Sequence, residues 1–235
     1  DLHSFPTRRS SDLVYHKNTK KISNNSQLIQ ENVYVGPSYT NEEIKSFLDS
    51  KNIPYESFND ITLLEKTAQL IADGNVVGWY QGKMEWGPRA LGNRSILADP
   101  RRADMKDILN AKIKHRESFR PFAPSIMEEF SSDYFEMDIP SPYMLMVAPV
   151  KKPKDIPAVT HVDGTGRLQT VSKNSNELYY NLINEFYKIT GVPVIINTSM
   201  NVMGEPIVNT PEQAYSMIVK TDMDYIIMGN YLVRK

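Results

Sequence analysis

From Thr62 onward the hydrophobic positions switch repeatedly between helical and strand periods. Leu64, Ala68 and Ile71 recur at helical spacing between a Thr62–Glu65 capping-box pattern and Gly74, which stands where a C-terminal cap glycine belongs. This predicts an amphipathic helix. Val76–Tyr80 then reads as a short buried strand and Ser95–Ala98 as a second, while Asp99–Pro100 suits a helix start with Met105, Ile108, Leu109 and Ile113 on one apolar face. Pro121 and Pro124 force extended or turn backbone, followed by a short helix over Met127–Phe135 and a strand over Met144–Val150. The Asp163–Gly164 pair predicts a turn joining strands Val159–Val162 and Leu168–Val171, its type left open by the glycines around it.

The carboxy-terminal third is patterned most clearly. A helix runs from Asn174 through Leu178, Tyr179, Leu182, Ile183 and Phe186 to Gly191, and the unbroken apolar run Val192–Ile196 predicts a strand buried on both faces. Thr210-Pro211-Glu212-Gln213 is a capping box with proline at the first helical position, and Tyr225–Met228, Gly229–Asn230 and Tyr231–Val233 read as a hairpin. Strands alternating with helices predict an α/β fold with a mixed sheet. At 235 residues and 40% hydrophobic, the chain can bury one sizeable core without cross-links.

The absence of cysteine excludes disulfides, thiol nucleophiles and cysteine-ligated metal sites, and favours a reducing, cytoplasmic setting. No apolar run reaches the roughly 20 residues a membrane span requires, so no membrane partner is expected. A net charge of -1 gives no general affinity for nucleic acid. Charge is nevertheless uneven: ten Lys and Arg against five Asp and Glu fall between Lys83 and Phe122, a local excess of +5 where glycine and proline also gather. Ser4–Leu13 resembles the conceptual translation of a sequencing-library adaptor, or is a flexible basic tail. Residues 1–31 are therefore expected to be an artefactual or disordered tail and linker, with the domain proper at 32–235, and the natural protein to begin further upstream.

Candidate chemistry clusters in four places. Gly82, Gly87, Pro88 and Gly92 surround Lys83, Arg89 and Arg94, a composition that fixes unusual backbone while bringing donors toward an anion; it is not a Walker loop, and the alternative is a structural hairpin whose arginines pair with Glu85 and Asp99. Lys112, Lys114, Arg116 and Arg120 follow the next helix, with Phe119, Pro121 and Phe122 able to hold Arg120 rigidly for phosphate contact. His161, Asp163, Thr165 and Arg167 gather at one turn, where His161 and Asp163 read as a structural pair more readily than as a general base, and Arg167 as the functional group. Asn197, Thr198, Ser199 and Asn201 follow the buried strand, where α/β folds place ligand loops; hydrogen bonding to phosphate or adenosine suits them better than nucleophilic attack by Ser199.

Four blocks, Gly78–Ser95, Arg116–Pro124, Val159–Gly164 and Asn197–Asn201, resemble the signature stretches of the nodulation and antibiotic-tailoring O-carbamoyltransferases, in the same order and over a region from about Tyr34 to the end. The departures are Gly166 in place of a more usual alanine and Met200 in place of phenylalanine. The resemblance implies the carboxy-terminal YrdC-like domain of that family, a two-layer α/β fold with a twisted mixed sheet flanked by helices. It implies binding of ATP, Mg2+ and carbamoyl phosphate and formation of carbamoyl-adenylate, for transfer to a hydroxyl by an amino-terminal domain not present in this sequence. On the matching motifs, Lys114, Arg120, Arg167 and Ser199 become the expected catalytic set, with Arg89, Asn93, Arg94, His161, Asp163, Thr165, Asn197 and Asn201 binding substrate or nucleotide and no protein-held metal. Phosphoryl and adenylyl transfer need positioning and charge neutralisation more than a protein nucleophile, which fits these residue types. Two other readings stand beside it: an RNA-binding YrdC-like module, working instead through exposed charge at Arg101, Arg102, Lys106 and Lys112, and a threonylcarbamoyl-adenylate synthase, which the signature blocks fit less well.

Overall fold

The computed structural model describes residues 33–115 and 120–235. The expectations for residues 1–31 and for Arg116 lie outside the described residues. A mixed sheet forms the centre, built from β1 (Glu56–Ser57), β2 (Val77–Tyr80), β3 (Arg94–Ala98), β4 (Ala123–Met127), β7 (Gln169–Val171), β8 (Val194–Ser199), β9 (Tyr225–Met228) and β10 (Tyr231–Arg234). Their spatial order is β1-β10-β9-β2-β3-β8-β4-β7, with β2–β9 and β4–β7 parallel and the remaining pairs antiparallel. A separate two-stranded ribbon pairs β5 (Val147–Pro149) with β6 (Thr165–Arg167).

Period-2 alternation drives apolar side chains to both faces of this sheet. Val77, Trp79, Leu97, Ile195 and Ile227 join one buried cluster, covered by α2 (Asp60–Ala72) and α5 (Glu177–Thr190). Ile96, Val194, Ile196, Ile226 and Met228 join the other, together with Ile44 and Leu48 of α1 (Asn41–Ser50), Met105 and Leu109 of α3 (Met105–Leu109), and Ala214, Met217 and Ile218 of α6 (Pro211–Lys220). A short α4 (Ser131–Tyr134) follows β4.

Most predicted elements form, and the differences have local causes. The amphipathic helix α2 is capped by Asn59, whose Oδ1 accepts the Thr62 N–H at 3.0 Å; Thr62 is therefore inside the first turn, and the Thr62–Glu65 box does not cap. Asp99 does not start a helix, because its carboxylate accepts the backbone and side-chain N–H groups of Arg101 at 2.6–3.1 Å and α3 begins only at Met105. The expected hairpin between Val159–Val162 and Leu168–Val171 is overturned. Pro157–Val159 forms a 3-10 turn, Thr165–Arg167 pairs instead with Val147–Pro149, and Gln169–Val171 lies parallel to β4. The Asp163–Gly164 turn itself does form, closed by His161 N–H on the Thr165 carbonyl at 2.7 Å. α5 starts at Glu177, capped by Asn176 rather than at Asn174, while Gly191 ends it in the left-handed conformation as its signal indicated, and Thr210 and Gln213 make the α6 capping box with Pro211 at the first turn.

Two features position the site. α3 runs on as a π turn over Asn110–Lys114, ending at His115 with φ 45°, and this extra residue per turn swings Lys114 toward the end of β8. β8 lies between β3 and β4, with Asn197 opposite Leu97 on one side and Ala123 on the other. Its polar end is therefore held in the middle of the sheet.

Candidate functional site

The Gly82–Arg94 loop is fixed from within by two buried charged side chains. Glu85 Oε1 accepts the backbone N–H groups of Leu91 (2.7 Å), Asn93 (2.7 Å) and Arg94 (3.1 Å). The guanidinium of Arg94 lies 3.9 Å over the Tyr80 ring and donates to the carbonyls of Gln81, Asn93, Pro37 and Gly82. Burial lowers its pKa from the ordinary arginine value, offset by Tyr80 and Glu85. Gly92 has φ +110°, and a Cβ there would overlap the Tyr179 ring, so this turn admits only glycine. The expected pairing of loop arginines with Glu85 and Asp99 side chains is corrected accordingly: Glu85 serves backbone donors, and Asp99 pairs with Arg101.

Arg94 and Asn93 thus act as struts. Asn93 donates to the Lys83 carbonyl at 2.7 Å and accepts from Asn176 at 2.9 Å, and neither residue lines the cavities described below. The strutted loop leaves Arg89 exposed at its tip.

Two adjoining cavities share Arg89, Pro121, Phe122 and Arg167 in their walls. The larger, about 370 Å3, adds Arg120, Val147 and His161. The smaller, about 70 Å3, reaches inward to Asn197, Thr198 and Ser199. Three arginines from three separate segments therefore line one opening, with Pro121 and Phe122 beside them. Such a concentration of fixed donors suits a polyanion with oxygens to share among them.

The floor of the smaller cavity is a polar network in the sheet. Asn197 donates to Gln169 Oε1 at 2.9 Å and to the Ala90 carbonyl at 3.2 Å; Gln169 donates to the Leu91 carbonyl at 2.8 Å and accepts from Ser125 at 2.7 Å. This ties the arginine loop directly to β4, β7 and β8. Gln169 was not among the residues singled out from sequence; an amide between Leu168 and Val171 in a predicted strand was its signal.

Lys114 works from behind β8. Only 5% exposed, its ammonium donates to the carbonyls of Ser199 (2.6 Å) and Asn201 (2.9 Å) and to Asn201 Oδ1 (2.8 Å). Ser199 Oγ donates to the same Asn201 oxygen at 2.7 Å, so its proton is engaged by an amide oxygen. Lys114 and Asn201 hold the Ser199 wall in place, and Asn201 closes its own loop on the Glu205 carbonyl at 2.7 Å.

At the His161–Arg167 turn the Asp163 carboxylate accepts the Thr165 N–H (3.0 Å) and hydroxyl (2.7 Å), and Thr165 Oγ1 in turn lies 3.1 Å from His161 Nδ1. Because the Thr165 proton goes to Asp163, its oxygen accepts from His161, which assigns the ring proton to Nδ1 and leaves Nε2 as an acceptor. Asp163 does not touch the ring directly. Burial lowers the His161 pKa, with Arg167 and Lys106 adding to the effect and Asp163 opposing it, so the ring is neutral at pH 7. Gly166 packs where a Cβ would press on Phe135 and Val150, which accounts for the absence of a larger side chain.

Among the described residues no three His, Asp or Glu side chains converge to hold a metal. Among the same residues no helix is long and apolar enough to cross a membrane.

Fold and cavity together define a YrdC-like α/β domain. Its backbone superimposes on the crystal structure of P. abyssi Sua5 complexed with L-threonine with a TM-score of 0.53 at 18% identity, covering 74% of this chain and 48% of that one. Residues 68–235 match the family model for the carbamoyltransferase C-terminus. The chain is 46% identical over 226 residues to the uncharacterized protein sll1178 of Synechocystis sp., covering 86% of this chain and 37% of that protein. It is likewise 46% identical over 213 residues to the nodulation protein NolNO of Sinorhizobium fredii, covering 87% and 31%. The chain belongs to the carbamoyltransferase C-terminal family, and it spans about a third of the length of these relatives.

Proposed function

We propose that this domain activates the carbamoyl group: it binds carbamoyl phosphate and ATP and forms carbamoyl-adenylate, which an amino-terminal domain of the longer protein transfers to a hydroxyl. The observation that carries the reading is the convergence of Arg89, Arg120 and Arg167 on one cavity that continues inward to Asn197 and Ser199. Water attack on carbamoyl phosphate releases inorganic phosphate and carbamate. A carbamate oxygen then bonds to the α-phosphorus of ATP, and pyrophosphate leaves with the electron pair of the broken P–O bond. Each step gathers negative charge on oxygen, and guanidinium and hydroxyl donors aimed at that oxygen would stabilise it. Mg2+ would enter on the triphosphate of its substrate, which is how this ion is commonly held.

The competing reading as an RNA-binding surface is weakened by charge pairing. Arg101 is paired with Asp99, Arg102 with Asp104 and Lys112 with Asp224, at 2.6–2.7 Å. The test of the leading reading is exchange of labelled pyrophosphate into ATP. Exchange should require carbamoyl phosphate and fall on the order of 10²-fold in Arg167→Ala, the usual cost of one preorganised donor. Exchange indifferent to both carbamoyl phosphate and Arg167 would rule the reading out.

A further inference from the structure

A carbamoyl group differs from the acyl groups it resembles in size by its amino hydrogens. The arginines of this site are donors only, so they grip phosphate and carbonyl oxygens but cannot meet an N–H. A site that selects carbamoyl phosphate needs a fixed acceptor deep in the cavity.

Asn197 meets that requirement. It is 1% exposed, lines the smaller cavity with Arg89, Arg167 and Ser199, and its Oδ1 is buried with no hydrogen-bond partner among the described residues. The orientation of the amide is not a free choice. Its Nδ2 faces the Ala90 carbonyl, which can only accept, and Gln169 Oε1. The Gln169 amide is locked in turn by its own Nε2 on the Leu91 carbonyl and by the Ser125 hydroxyl on its oxygen. Backbone carbonyls thus fix both amides and force Asn197 Oδ1 to be the atom left over. A buried acceptor without a partner is uncommon in a folded protein and marks a place where a donor is to arrive.

Resting on the carbamoyl-activation reading, we infer that Asn197 Oδ1 accepts a hydrogen bond from the carbamoyl amino group and is the residue by which the site distinguishes carbamoyl phosphate from acyl phosphates of the same shape. Ser125 and Gln169 act through it as positioning residues. In acetyl phosphate a methyl group replaces the amino group, and its binding would leave the acceptor buried and unmet.

Equilibrium binding of carbamoyl phosphate and acetyl phosphate to the full chain, without ATP, tests this. The unaltered protein should prefer carbamoyl phosphate on the order of 10²-fold, and Asn197→Leu should lose most of that preference, its affinity for carbamoyl phosphate falling far more than its affinity for acetyl phosphate. Equal affinity for the two ligands in the unaltered protein, or a preference that persists in Asn197→Leu, overturns the inference and leaves the anion site standing. Failure of the unaltered protein to bind either ligand overturns the carbamoyl-activation reading itself, and this inference with it. Should Asn197→Leu not fold, 15N-labelled carbamoyl phosphate on the unaltered protein decides the matter. The bound amino protons should exchange with solvent far more slowly than in the free ligand, and exchange at the free rate overturns the inference.

Discussion

Lys114 Nζ donates to the Ser199 carbonyl at 2.6 Å, across 85 residues of sequence and from a π turn to the end of the central strand. A buried ammonium shared among the oxygens of residues 199 and 201 is a fastening rather than a free charge, and it fixes the wall against which a ligand would lie. Its removal leaves several part-buried acceptors without their shared donor.

Lys114→Met, which keeps most of the volume, should therefore lower unfolding stability by about 2–3 kcal/mol, the cost of unmet buried partners of a charged donor. Urea denaturation measures the loss, and amide hydrogen exchange should show faster opening at residues 199–201 than in the rest of β8. Unchanged exchange there would remove the fastening role.

The Gly92 turn makes a second prediction. Gly92→Ala forces a left-handed backbone on an L side chain and drives a methyl into the Tyr179 ring. Backbone strain and overpacking together should cost roughly 2–5 kcal/mol. Pairing it with Tyr179→Leu should recover the overpacking share and none of the backbone share, so the double variant should lie between the two single effects in a denaturation series. Full recovery would mean that the φ angle is of no consequence.

The third prediction concerns pH. Burial holds the His161 pKa below its ordinary value near 6.5, so the folded state prefers the neutral ring and the unfolded chain takes up the proton first. The stability this contributes is present above about pH 6.5 and is lost as pH falls below it toward the folded value. Protonation also ends the acceptor role of Nε2 in the larger cavity. His161→Gln should flatten the stability profile between roughly pH 7 and 5 while leaving it unchanged at pH 8. A profile identical to that of the unaltered protein would show that the ring titrates as if exposed.

Local signals served well where an element carries its own boundaries. Gly191, the Thr210–Gln213 box and the Gly229–Asn230 turn all act where they stand, because capping and turn formation are settled within a few residues. The same kind of signal was present and passed over at Thr40–Glu43, which caps α1 and buries Ile44 and Leu48. Pairing was another matter. The stretch Thr165–Val171 splits between two sheets at Leu168, and nothing within it indicates that β6 belongs to β5 and β7 to β4.

By itself the sequence determined the α/β class, the end of α5 at Gly191, the start of α6 at Thr210, the buried character of β8 and the four motif blocks that hold the candidate residues. It also grouped arginine, glycine and small polar residues in those blocks, the residue types that phosphate chemistry uses. Only the tertiary structure divided the groups by duty. Arg94 and Arg89 stand five residues apart in one loop, yet one is sealed among carbonyls and the other faces the cavity. Lys114 turned inward to fasten β8, and Gln169, inconspicuous in a short strand, became the hub that orients Asn197. The reason is physical: whether a polar group binds a ligand or a neighbour depends on which donors and acceptors surround it after burial, and long-range pairing alone decides that.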